Sequence, residues 1–212
     1  MEHTAHTSHD YTPASGGALT SVALSATLHC LTGCALGEVM GLVIGTALGL
    51  SNLGTIVLAV VLAFVFGYGL TSLPLLRAGW ALAAVVPIAL ASDTLSIATM
   101  EIVDNAIVLA VPGAMEAGLT DVLFWGSLSF ALVIAGAFAL PVNRWLIARG
   151  KGHAVVHETG LHGGPSPRLV GALAAVAFVF GTAVLIGELL GDGEAGGHSA
   201  HVERMSSSGP AG

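Results

Sequence analysis

Residues 26–49 read ATLHCLTGCALGEVMGLVIGTALG, and along that stretch glycine returns at every fourth position, as Gly33, Gly37, Gly41, Gly45 and Gly49. Residues four apart share one face of an α-helix. The spacing therefore predicts a helix whose one side lacks Cβ atoms, a surface on which a second backbone can close tightly. Most of the remaining side chains are aliphatic, and the polar exceptions are grouped: His29, Cys30, Cys34 and Glu38. At about 100° per residue, Cys30, Cys34 and Glu38 drift by only about 40° per step, forming a row with His29 about 100° to its side. Cys34 and Glu38 each follow a stripe glycine directly, so the row borders the stripe. A helix this apolar reads as a membrane span. An ionisable group near its middle costs roughly 2.5 to 3.5 kcal/mol unless it finds a partner or water, and so marks a candidate site.

Working outward, the whole chain has the same character. Of its 212 residues, 54% are hydrophobic and 9% charged, against about 25% charged in soluble domains; the mean hydropathy is +0.86. Apolar runs near 17–50, 53–75, 82–111, 120–147 and 168–190 each supply the roughly 20 residues that cross a bilayer core of about 30 Å. The expected fold is all-α, a polytopic transmembrane helix bundle of about five spans. Four spans form a core over 17–148, and an accessory helix follows over 168–190. Residues 1–16, with His3, His6 and His9, and residues 191–212 have the composition of flexible tails. A polar loop over 149–167 holds His153, His157 and His162, and such histidine clusters suit weak metal collection.

The net charge of −7 with only six basic residues excludes nucleic acid as a partner. Arg77 lies between the second and third runs, and Arg144, Arg149, Lys151 and Arg168 flank the loop between the fourth and fifth. With five spans these share one side, which the positive-inside rule makes cytoplasmic. The expected location is the cytoplasmic membrane, with the N-terminus inside and the C-terminus outside.

The third run carries the second polar cluster, in SDTLSIATMEIVDNAIVLAVPGAM (residues 92–115). Met100 and Asp104 fall within about 20° of Asp93, one to each side, with Glu101 about 80° and Asn105 about 120° away from it. Pro87 removes a backbone hydrogen bond near the start of this run and is expected to open a kink. Four carboxylates at membrane depth need partners, so the two clusters are expected to face each other. His29, Cys30, Cys34, Glu38, Asp93, Met100, Glu101 and Asp104 are then candidate metal ligands. Asp93, Glu101, Asp104 and Asn105 form a candidate cation or proton path. Thiolate, thioether and imidazole suit copper, with zinc as the alternative. The competing reading makes the thiols small hydrophobes and the glycine stripe a packing surface, for this chain, a second copy or a membrane partner. Two cysteines four apart are neither a disulfide framework nor a CxxC redox pair, and no catalytic residue is assigned.

ATLHCLTGCALGE (26–38), the segment 92–115 and ALPVNRWLIARGKGHAVVH (139–157) together resemble a bacterial and archaeal membrane family described only as domain of unknown function 4396, over about residues 22–157. The resemblance implies a small multi-helix membrane domain and transfers no functional residues. The function expected from the residues is a transporter or permease-like handler of a transition-metal cation, copper before zinc, with carboxylate protonation available for coupling and a homodimer supplying enough helices. An intramembrane thiol- or metal-dependent oxidoreductase and a non-catalytic assembly partner are the alternatives.

Overall fold

The computed structural model describes residues 16–149 and 167–207. They form five helices: α1 (Gly16–Ala47), α2 (Asn52–Arg77), α3 (Leu82–Ala110), α4 (Val122–Ala148) and α5 (Pro167–Ser207), with no strand among the described residues. Each of α1 to α4, and the Arg168–Leu190 part of α5, is long and apolar enough to cross a membrane. Helices are the natural solution there, because every backbone polar group is satisfied within its own segment. Stray hydroxyls are treated likewise: Thr27, Thr32, Thr94 and Thr99 each donate to the carbonyl four residues back at 2.6–2.8 Å. Large aliphatic side chains point outward along α2 (Leu53, Val57, Val61, Val65) and α5 (Leu173, Val176, Val179), as on a lipid-facing surface.

The first two connections use the same device. Gly49 has φ +65°, its N–H bonds to Thr46 O at 3.1 Å, and the Leu50 N–H bonds to Gly45 O at 2.9 Å. Gly79 has φ +86° with the matching pair to Leu76 O and Leu75 O. Both are Schellman terminations, in which a left-handed residue turns the chain while capping the last carbonyls. Ser51 then caps α2, its Oγ accepting the Gly54 N–H at 3.2 Å.

The glycine stripe packs α1 against α2 in antiparallel register. A Cβ added at Gly33 meets the Gly67 backbone at 2.8 Å; at Gly37, the Ala63 Cα at 2.6 Å; at Gly41, the Ala59 Cα at 2.6 Å; at Gly45, Thr55 Oγ1 at 2.5 Å. The partner face is itself a small-residue row, so the two backbones nearly touch. Gly49 does not join them: it has nothing within 4 Å and serves the turn, because α1 ends at Ala47. The stripe residues Gly33 to Gly45 face α2 of the same chain.

Helix α3 runs without interruption through Pro87, which falls in its second turn, where a single hydrogen bond is lost. Pro141 and Asn143 lie within α4. The backbone of α5 is helical on to Ser207, through residues 191–207, although Gly191, Gly193, Gly196 and Gly197 disfavour helix. The N-terminal histidines and His153, His157 and His162 lie outside the described residues. Helix α5 packs along α4, with Gly126 against Val184, Gly181 against Phe130, and Phe130 stacked on Phe178 at 5.4 Å.

Candidate functional site

Helices α1 and α3 run in the same direction, so residue numbers rise together along their seam. At one level Cys30 Sγ lies 4.0 Å from Asp93 Oδ1. One turn on, Cys34 Sγ lies 3.9 Å from Met100 Sδ and faces the Glu101 carboxylate. One turn further, Glu38 faces both Glu101 and Asp104. The structure thus brings the thiol and carboxylate row of α1 onto the acidic face of α3, as a column inside the bundle.

The column is closed off. Cys30, Cys34, Asp93, Met100, Glu101 and Asp104 are buried, and Glu38 is half-buried with its Oε1 shielded. Glu38 Oε1, Glu101 Oε1 and both carboxylate oxygens of Asp104 have no hydrogen-bond partner. Asn105 donates to Glu101 Oε2 at 3.5 Å and to the Glu101 carbonyl at 2.9 Å. Neither α1 nor α3 contains Lys or Arg. Carboxyl groups so placed are neutralised by a proton or a cation, because an isolated buried charge is far too costly to persist.

His29 Nε2 sits 3.0 Å from Thr71 Oγ1 of α2; Thr71 and Ser92 direct hydroxyls to Asp93. The eight candidate ligands therefore do not make one shell. Residues eight apart on a helix are separated by about 12 Å of rise, which spreads Cys30 and Glu38 over successive levels. Among the described residues no three His, Cys, Asp or Glu side chains converge to hold a metal ion.

Sequence reasoning missed a second buried polar group. Asn143 of α4 donates to Thr27 Oγ1 of α1 at 2.9 Å and to Ser96 Oγ of α3 at 3.0 Å, all three buried. This clamp ties three helices together at about the Cys30–Asp93 level, Thr27 lying one turn before Cys30 on α1 and Ser96 one turn after Asp93 on α3. Its signal in the sequence is an amide in an apolar run beside Arg144, which reads as an interfacial anchor. Arg144 donates to Thr20, while Arg149 stacks over Trp145 at 3.9 Å.

Residues 21–152 match the family model described as Domain of unknown function (DUF4396). The chain belongs to that family. The DUF4396 segment takes in nearly all of α1 and the whole of α2, α3 and α4, and with them every residue of the polar column and the Asn143 clamp; α5 falls beyond it. No curated protein and no solved structure is detectably similar to the chain.

Proposed function

We propose that this DUF4396 chain is a membrane transporter or permease-like handler of a transition-metal cation, moved or sensed along the α1–α3 column. The observation that carries the reading is the juxtaposition itself: two thiols, a thioether and four carboxyl groups on facing sides of two membrane-length helices. Packing alone gives no reason to keep such groups there, since each is costly in lipid. The sulfurs offer soft donors. The carboxyl groups bind the cation or exchange protons against it, which makes coupling available.

The ends of the bundle support an orientation. Arg77, Arg144, Arg149 and Arg168 lie at the end where α1 begins. Glu116, Asp121 and Glu188 line an open cleft of ≈560 Å³ at the other. In the cytoplasmic membrane the basic end faces inward, and the acidic cleft then faces outside, where it concentrates cations. The oxidoreductase alternative gains nothing from the geometry, because Cys30 and Cys34 are free thiols engaged with different α3 residues.

The test is metal uptake into proteoliposomes, with Asp93→Asn and Asp104→Asn as comparisons. Uptake by the wild type that both variants abolish is expected. Uptake equal in all three, or none in the wild type for any first-row metal, overturns the proposal.

A further inference from the structure

We infer that one level of the column, Cys34 and Met100 with Glu101 beside them, is a site for a soft monovalent ion, copper(I) or its analogue silver(I), and not for zinc. The inference rests on the transition-metal reading above and sharpens it to an ion class and a set of atoms. Two sulfurs each about 2.3 Å from one ion, the length of a zinc–thiolate bond, stand about 3.8 to 4.0 Å apart between tetrahedral and trigonal angles. Cys34 Sγ and Met100 Sδ are 3.9 Å apart with no ion present, so the pair needs no rearrangement to share one. A carboxylate oxygen stands ready as third donor: Glu101 is 4% exposed, its Oε1 accepts no hydrogen bond, and the group faces Cys34.

The donor set decides the ion. A thioether is a poor ligand for zinc, which takes three or four Cys, His or carboxylate donors, and no three such side chains converge among the described residues. Thiolate with thioether selects copper(I), which accepts two or three donors. The other members of the row have different attachments, His29 at Thr71 and Cys30 at Asp93. Binding exchanges the thiol proton of Cys34 for the ion, and one proton is released to the medium per ion.

The site lies on a compliant seam. Helix α1 packs closely along α2 and α4 and only lightly on α3, so an ion reaches the sulfurs by a small parting of α1 from α3 rather than by breaking the glycine contact.

The experiment titrates the full-length chain in detergent with copper(I) against a chromogenic copper(I) chelator. The wild type is compared with Met40→Leu, Cys34→Ser and Met100→Leu, Met40 being a lipid-facing methionine of α1, 38% exposed and outside the column. The terminal and loop histidines are common to all four and cancel. Met40→Leu is expected to retain wild-type affinity within threefold. Met100→Leu, which conserves volume, is expected to lose at least tenfold, and Cys34→Ser to lose the site. X-ray absorption on the wild-type copper(I) form is expected to show two sulfur neighbours, a readout that depends on no variant folding. Met100→Leu binding as well as wild type, Met40→Leu failing as badly as Met100→Leu, or a single sulfur neighbour overturns the assignment. Metal uptake that survives Met100→Leu unchanged sinks this site and leaves the transport reading standing. Tight binding with two sulfur neighbours but no uptake does the reverse.

Discussion

On its α2 side, helix α1 presents Gly33, Gly37, Gly41 and Gly45 to Gly67, Ala63, Ala59 and Thr55; on its α3 side it presents Cys30, Cys34 and Glu38 to Asp93, Met100, Glu101 and Asp104. Between helices in lipid there is little hydrophobic drive, so stability comes from van der Waals contact of close backbones. The glycine seam supplies that contact. The polar seam opposes it, because Glu38 Oε1, Glu101 Oε1 and both carboxylate oxygens of Asp104 are buried without a hydrogen-bond partner. One helix thus holds a rigid joint and a costly, lightly packed one a few residues apart, and the first makes the second tolerable. A route for an ion belongs on the seam whose parting sacrifices least, since locally weak contacts open first.

The largest expected effect tests the rigid joint. In Gly37→Leu the new Cβ falls 2.6 Å from the Ala63 Cα, and backbone cannot swing aside as a side chain does. Loss of about 3 kcal/mol or more is expected, read as a fall in melting temperature in detergent and loss of a monodisperse species. A melting temperature equal to wild type means the two backbones do not touch.

The same measurement on the other seam should move in the opposite direction. Asp104 is 2% exposed with neither carboxylate oxygen bonded. Replacing a buried ion pair by apolar residues of similar volume is often neutral or stabilising by about 1 to 4 kcal/mol, and a buried carboxyl with no hydrogen-bonded partner leaves no counter-charge stranded when it is removed. Asp104→Val is expected to raise stability by about 1 to 2 kcal/mol while ending metal uptake. Destabilisation instead would mean that Asp104 has a structural partner, and the contrast between the two seams would collapse.

Both seams were legible in the sequence to different depths. The period of four in glycine and the run of aliphatic residues are local signals, so the five helices and the small-residue face of α1 could be read from residues alone. The matching row on α2, Thr55, Ala59, Ala63 and Gly67, has the same period but is masked by its mixed residue types. Which residue of α1 meets which of α3 is a matter of axial register, and register is set by the loops and by the depth of contact with α2. Helical angle placed Cys30, Cys34 and Glu38 in one row but did not say which residue of α3 each one meets. Asn143 escaped because its partners, Thr27 and Ser96, lie 116 and 47 residues away.

That clamp sits between the two seams in strength. Asn143→Leu removes two buried hydrogen bonds, but the Thr27 hydroxyl keeps the Ala23 carbonyl at 2.8 Å. Interhelical hydrogen bonds in membrane bundles are worth about 0.6 kcal/mol on average and at most about 1.7, so a loss of about 1 kcal/mol is expected. Denaturant titration in bicelles measures it. A loss comparable to that of Gly37→Leu would make the clamp, and not the glycine seam, the main tie between α1 and its neighbours.

The smallest effect separates two glycines that the sequence spacing makes equivalent. Gly37 and Gly49 both fall on the period of four, yet Gly37 is pressed against Ala63 while Gly49 has open space around it and φ +65°. At Gly49 an added methyl meets no atom; the penalty is only that of a left-handed backbone, about 1 kcal/mol for alanine. Asparagine tolerates that conformation better than other residues with a Cβ. Gly49→Ala is therefore expected to lower the melting temperature slightly, Gly49→Asn less, and Gly37→Ala more than either, because there the obstacle is backbone. If Gly49→Ala matches Gly37→Ala, the stripe continues to its fifth member and the turn is not where α1 ends its contact with α2.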